Sequence, residues 1–380
     1  MTEISYPAAR AVAPTVEAYF DHHLTAARQQ GRQQQLAQTP DARAIEAMVD
    51  AAFWASLRRE EGYSPKISLA LLPPEQAGQP LTFEHRLPLN PAALSRLAPA
   101  AERPGIHLGV WRDKDELYVW GTTRTIPRFC FVLEVVEPGL LVIKYRRGQE
   151  PGKYVNVAVL KGDQVKFVDE QGASLPDCPA LLTSLLSFGS PDSRTGSVNV
   201  LVQLAASMRL HGRGGSLLVV PQDSEGWRES ILQPVSYSVV PSFSELAALM
   251  RQGEVERGSP TWQEALVDAV EAIAGLTAVD GAALITDRYE LLAFGAKIGR
   301  REGGVRVEQA VVTEPIVGGV ASVVHPLQLG GTRHLSAAQF VQDQRDSIAL
   351  VASQDGRFTV FAWSPCEDMV HAHRVETLLL

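Results

Sequence analysis

Residues 279–298 read VDGAALITDRYELLAFGAKI. Two runs of apolar and β-branched residues flank a polar turn at Asp287 and Arg288, the pattern of two strands folded back on each other. Before them, TWQEALVDAVEAIAGL (261–276) repeats with helical period and puts Leu266, Ala269, Val270 and Ile273 on one face. After them, GTRHLSAAQFVQD (331–343) predicts a helix, and DSIALVASQD (346–355) and FTVFAWS (358–364) predict two further strands. Strands interleaved with amphipathic helices make a compact α/β unit with a central mixed sheet flanked by helices.

Working upstream, QGEVERGSPT (252–261) is polar, with two glycines and a proline, and predicts a linker. The expected domains are therefore 1–255 and 256–380. Two helices open the first, one over about Val16–Gln35 and one over about Asp41–Glu61, with Gly62 ending the second. From Lys66 to about Glu170 the chain reads as hairpins: IHLGVW with ELYVWGT, FCFVLEVV with LLVIKYRR, and YVNVAVL with QVKFVDE. The Pro-rich pieces LLPPEQAGQP and LAPAAERPG read as loops. Leu181–Phe188 and Val198–Leu210 read as helices, GGSLLVVP and VSYSVVP as strands, and SFSELAALMRQG as a short helix. The first domain is thus an α+β, hairpin-rich fold.

Composition narrows the function. The chain has 380 residues, is 45% hydrophobic and 21% charged, and carries a net charge of −8. Acidity of that size argues against a broad nucleic-acid or anionic-membrane surface but leaves room for a local basic pocket. No apolar run reaches the roughly 20 residues that span a bilayer, and MTEISYPAAR lacks a basic segment followed by an apolar core. A cytoplasmic location is expected. Cys130, Cys178 and Cys366 are far apart and form no CxxC pair, so neither a disulfide framework nor a cysteine zinc site is expected. His22 and His23 are neighbours and do not share a helix face. His371 and His373, in HAHR, share a strand face but have no third ligand in view.

Three stretches carry chemistry. In VDGAALITD, Asp280 precedes Gly281 and Ala282 at a strand start, where a carboxylate beside small residues suits a hard cation; alone it also reads as a turn aspartate. In GGTRHLSAAQF (330–340), Gly330 and Gly331 let the backbone bend close to a ligand. Thr332 offers a hydroxyl, Arg333 a fork of donors and His334 a titratable ring, all at a helix N-terminus. Alone, this reads equally as a glycine turn with a surface ion pair. In ASQDGRFTVF, Ser353 closes a strand and could meet a phosphate oxygen, although SQDG is also an ordinary hairpin turn.

Together, strand-DGA, then GTRH opening a helix, then a serine closing the next strand resembles the diadenylate cyclase domain. The resemblance runs from about Pro260 to the C-terminus. It implies that two ATP molecules are joined into cyclic di-AMP with release of two pyrophosphates, and that two such domains meet face to face in a homo-oligomer. It implies Mg²⁺ or Mn²⁺ at Asp280, which would also place the attacking 3′-hydroxyl. Thr332, Arg333, His334 and Ser353 would hold phosphate oxygens, with Arg333 and His334 acting alongside Asp280 in catalysis. Gly281, Ala282 and Gly331 would leave room for the nucleotide.

The sequence departs from the family's RHR motif, because position 335 is leucine. Lys297, Arg300 and Arg301 are replacement cations by residue type. That departure keeps open a second reading, a nucleotide-binding sensor module that does not cyclise. The stretch SMRLHGRGGSLLVVPQDSEGWRESILQP (207–234) is similar to DACNV sensor domains found ahead of such cyclases, which implies a sensor ligand of unknown identity. There His211 and Arg213 are candidates for a second anion site, with a helix stop and tight turn as the plainer alternative.

Overall fold

The computed structural model describes residues 5–29, 36–59, 62–114, 116–146, 154–169, 199–257 and 259–380. Cys178 and the helix expected over Leu181–Phe188 lie outside them. The chain divides into two compact units, Met1–Val168 with Leu380, and Asp169–Leu379. Both contain a mixed sheet.

In the first unit, helices α1 (Pro7–Gln29), α2 (Ala42–Ser56) and α3 (Pro91–Ala101) accompany eight strands. These are β1 (Ile67–Leu71), β2 (Leu81–Pro88), β3 (His107–Asp113), β4 (Glu116–Thr123), β5 (Phe131–Glu137), β6 (Leu140–Arg146), β7 (Tyr154–Lys161) and β8 (Gln164–Phe167). The expected hairpins form as β3–β4, β5–β6 and β7–β8. Strand β1 stitches them together, parallel to β3 and antiparallel to β5, in the order β2-β4-β3-β1-β5-β6-β7-β8. Phe20, Ile45, Met48 and Leu94 from the helices share one core with Leu69, Leu133 and Ile143 from the strands. Helix α3 overturns the loop expected from LAPAAERPG. Asn90 caps it by accepting from the Ala93 amide at 2.8 Å, and Pro91 sits in its first turn, where a missing N–H costs nothing.

Among its described residues the second unit has nine strands: β9 (Gly215–Val220), β10 (Tyr237–Phe243), β11 (Ala282–Thr286), β12 (Leu291–Ala296), β13 (Ala310–Thr313), β14 (Ser322–Val324), β15 (Ile348–Ala352), β16 (Phe358–Ser364) and β17 (Met369–Arg374). Their order is β10-β12-β11-β9-β15-β16-β17-β13-β14. Helices α4 (Val200–Leu210), α5 (Glu245–Arg251) and α6 (Pro260–Leu276) share a core with Leu217, Val219 and Leu350. Helix α7 (Thr332–Asp343) joins a second core that contains Leu218, Val220 and Phe361. Strand β9 alternates between the two cores and is buried along its whole length, which is why SLLVV reads as an unbroken apolar run.

The domain boundary expected at 255/256 is therefore not where the chain divides. Strand β9 pairs parallel with β11 and antiparallel with β15, so the second sheet cannot be assembled without residues that precede the supposed linker. The segment 252–261 is a short connection inside this unit, with a single helical turn at Glu254–Arg257 before α6 begins; the Trp262 indole donates to the Leu249 carbonyl at 3.2 Å and ties α6 back to α5. Among the described residues, no helix is long and apolar enough to cross a membrane.

Because Leu217 is fully buried between α4, α6 and β15, Leu217→Ala is expected to destabilise the second unit by about 2–5 kcal/mol. Chemical denaturation followed by limited proteolysis checks this: fragments of the second unit should appear at lower denaturant, with those of the first unit unmoved.

Candidate functional site

One end of the second sheet collects the sequence-predicted residues. Gly215, at the start of β9, pairs opposite Ala352, at the end of β15. Ala283 lies beside Leu217 in the parallel ladder, so the start of β11 falls at the same end. Ala282 faces Ala296, which brings in the end of β12. Loops 211–214, 279–281, 297–299 and 353–357 therefore leave the sheet together.

Three glycines let these loops approach. Gly281 has φ +120, and a methyl there would lie 2.4 Å from the Gly295 carbonyl carbon. Gly214 has φ +71, and a methyl there would lie 3.0 Å from Arg333 Nη1 and 3.3 Å from the Gln354 side chain. Gly215 has no room for a side chain against Thr277, whose Oγ1 a methyl would meet at 2.6 Å. Both positive-φ backbones are ones that other residues adopt only under strain.

Asp280 sits at the mouth of this end, its side chain 90% exposed, with Lys297 Nζ 2.5 Å from Oδ2. The hydrogen bond and charge of Lys297 hold the Asp280 carboxyl below the usual carboxylate range, and Arg333 adds to the effect. Ala282 is buried as the first residue of β11. Arg333 is half-buried in the first turn of α7, Thr332 is exposed, and Gly331 is the N-cap. The open N–H groups and positive dipole end of α7 therefore lie with the guanidinium.

His334 lies deeper than its neighbours. It is 3% exposed, packs edge-on against Phe361 and has Nε2 3.5 Å from Thr359 Oγ1. Burial lowers its pKa, so the ring is neutral at pH 7 and offers a hydrogen bond in place of a charge. Gly330 is what lets the chain pass this ring, since a methyl there would lie 2.3 Å from Nδ1. Leu335 is half-buried and packs against the core that contains Phe361. Ser353 is half-buried, and its amide donates to the Arg357 carbonyl at 2.9 Å in the turn that follows β15.

The candidates His211 and Arg213 belong to this same end and not to a separate sensor domain. His211 Nε2 lies 3.3 Å from Thr277 Oγ1, and its Nδ1 accepts from the Arg213 amide at 3.1 Å. Thr277 spends its own proton on the Ala274 carbonyl at 2.7 Å. His211 is therefore a neutral Nε2–H tautomer with both nitrogens committed to shaping the loop, consistent with a pKa lowered by burial and by Arg213. Arg213 is exposed, and its carbonyl accepts from Gln354 Nε2 at 3.3 Å. From sequence Gly214 and Gln354 read as turn residues; only a fold that brings residues 214, 333 and 354 together places them beside one another.

For a divalent ion, the donor set is one carboxylate. Among the described residues no group of three His, Cys, Asp or Glu side chains converges. Asp280 alone suits Mg²⁺, which commonly takes one or two carboxylates and completes its shell with water and substrate phosphates. His371 and His373 are buried, with Glu367 2.9 Å from His371 Nε2 and Thr313 Oγ1 2.7 Å from His373 Nδ1. His22 and His23 lie on α1 in the first unit.

The first unit holds a polar group that sequence reading missed. Ser68 Oγ and Tyr154 OH each lie 2.7 Å from a ring nitrogen of His107, and Lys144 pairs with Glu134 beside the Tyr154 ring. Burial holds His107 neutral, with its pKa lowered to about 4.

With this geometry in view, comparison with known proteins adds one match. The family described as "Probable sensor domain DACNV" matches residues 34–124, from just ahead of α2 through β4. DACNV domains are found in diadenylate cyclase proteins. The match lies in the first unit and not at residues 207–234, which supply the last turn of α4 and all of β9 in the second unit. No curated protein matches the chain.

Two outcomes follow from this geometry. Lys297→Ala is expected to raise the pKa of Asp280 toward the ordinary carboxylate value, read by NMR titration of the carboxyl carbon. Gly281→Ala combines a strained φ with a clash against β12 and is expected to cost about 1–3 kcal/mol, seen as a lower melting temperature.

Proposed function

We propose that the chain is a sensor-linked diadenylate cyclase, in which the second unit joins two ATP molecules into cyclic di-AMP. The observation that carries the reading is the meeting, at one sheet end, of an exposed carboxylate (Asp280), a guanidinium (Arg333) and a helix N-terminus, with glycines where the loops approach. The DACNV sensor domain at 34–124 supports the sensor half.

Each nucleotide's 3′-oxygen attacks the α-phosphorus of the other. A P–O bond to pyrophosphate breaks as each new phosphodiester forms, so two ATP yield one cyclic product and two pyrophosphates. Such a transfer needs placement and charge stabilisation more than covalent help from the protein. Mg²⁺ or Mn²⁺, held by Asp280 and the nucleotide's own phosphates, would supply charge neutralisation when bound.

The remaining work falls to the chain. Asp280 orients the 3′-hydroxyl. Arg333, Thr332 and the first N–H groups of α7 hold phosphate oxygens and stabilise charge on the transferring group. Neutral His334 contributes a hydrogen bond, and Ser353 a hydroxyl from the neighbouring loop. Gly281 and Ala282 keep the strand start low enough for the sugar and base. Two second units meet face to face, because one supplies only half of a symmetric reaction. The partners are ATP, a second copy of this chain and the sensor's ligand; nucleic acid and membrane are not among them, and the setting is the cytoplasm.

One observation favours a second reading. Leu335, half-buried against the core, brings no charge, leaving α7 a single cation in its first turn. A site weakened in that way would hold nucleotide without cyclising it.

Incubating the full chain with ATP and Mn²⁺ or Mg²⁺ and resolving products by mass spectrometry separates the two. The expected result is cyclic di-AMP from the wild type, none from Asp280→Asn, and at least about a hundredfold less from Arg333→Ala. ATP that is bound but unchanged would support the sensor reading and overturn the cyclase.

A further inference from the structure

Asp280 and Lys297 form an ion pair at the mouth of the site, with side chains 90% and 47% exposed. An exposed pair of this kind contributes little stability of its own, about 0–1 kcal/mol, so it does not explain why a lysine stands there. The position of the lysine is nevertheless well fixed. Its carbonyl accepts from the Leu232 amide at 2.8 Å, the Gly299 amide donates to the Ser230 carbonyl at 2.9 Å, and Ile298 bridges to Ile231. The backbone that carries the ammonium is thus held from both sides just beyond β12, while the ammonium itself is free to exchange partners.

The charge pattern around it is incomplete without that exchange. Leu335 faces the core, so α7 contributes Arg333 alone from its first turn. Arg301, a candidate by type, is directed elsewhere: its amide donates to Asp343 Oδ2 at 3.0 Å and its guanidinium lies 4.0 Å from Glu229. Lys297 reaches this end of the sheet, where it pairs with Asp280; Arg213, exposed on the 211–214 loop, is a further cation there.

We propose that Lys297 is a phosphate-binding residue of this site, supplying from the loop just beyond β12 the positive charge that the leucine at 335 withholds from α7. It rests on the reading of the site as a nucleotide site. In the free protein Lys297 neutralises Asp280; when a polyphosphate enters, the ammonium turns to the phosphate oxygens and the carboxylate is released for the ligand. The ligand class is a nucleoside polyphosphate, and the interaction is a charge-assisted hydrogen bond from Nζ.

The test is calorimetric titration of the full chain with ATP and, separately, with adenosine, both in a chelator so that no metal contributes. Wild type, Lys297→Ala and Lys297→Arg are compared, with melting curves run to confirm that each is folded. Lys297→Ala is expected to bind ATP about tenfold or more weakly, to bind adenosine as the wild type does, and to be rescued by Lys297→Arg. Equal ATP affinity in wild type and Lys297→Ala overturns the role of Lys297 and leaves the nucleotide reading standing. Equal losses for ATP and adenosine also overturn it, because a phosphate contact cannot weaken a ligand without phosphate. A folded wild type that binds neither ligand overturns the nucleotide reading and this inference together.

Discussion

Strand β9 is the element on which the second unit depends. It pairs with β11 on one side and β15 on the other, and its side chains alternate between two cores. A strand in that position has no tolerance for slippage, since a one-residue shift would exchange Leu217 and Val219 for Leu218 and Val220 across the sheet. Its register places Gly214 and Gly215 at the end where β11 starts and β15 stops. From that register follow the approach of Gly214 to Arg333, the contact of Gly215 with Thr277 and the shared exit of the loops.

Electrostatics at that end are set by depth. Asp280 and Lys297 are at the surface, where water screens their attraction and either can change partners. Arg333 is half-buried at a helix start, where the dipole of α7 has the same sign as its own charge and both favour an anion. His334, one residue further on, is buried and therefore neutral. A chain of net charge −8 thus presents a local concentration of donors without being basic as a whole. Three consecutive residues of one motif, Thr332 to His334, are sorted by the helix into exposed, half-buried and buried positions, and Leu335 returns to a half-buried one.

The chain divides at a different place from the boundary that the sequence suggests. The match to DACNV sensor domains lies entirely in the first unit, where β1 joins hairpins that are otherwise local. Its polar group around His107 is built from β1, β3, β6 and β7, strands whose residues are separated by up to about ninety positions. Such a group has no local signature, because each member alone is an ordinary strand residue. The N-cap of α3 is the opposite case: Asn90 and Pro91 carry a local signal that the surrounding prolines and alanines obscure.

Local patterns determined a great deal by themselves. The period of α6, the hairpins of the first unit, the glycine-opened start of α7 and the strands on either side of the Asp287 turn are all readable from neighbouring residues, because helix faces, turns and caps depend on chemistry only a few positions apart. Asp280, Arg333 and Ser353 could be named for the same reason, each standing at the end of a recognisable element. Only the tertiary structure decided where the chain divides, which side of α7 Leu335 takes, that His211 serves its own loop, and that Gly214, Lys297 and Gln354 border the same site. Those outcomes depend on pairing between strands far apart in sequence and on the depth at which each side chain comes to rest, and neither is encoded in any single stretch of the chain.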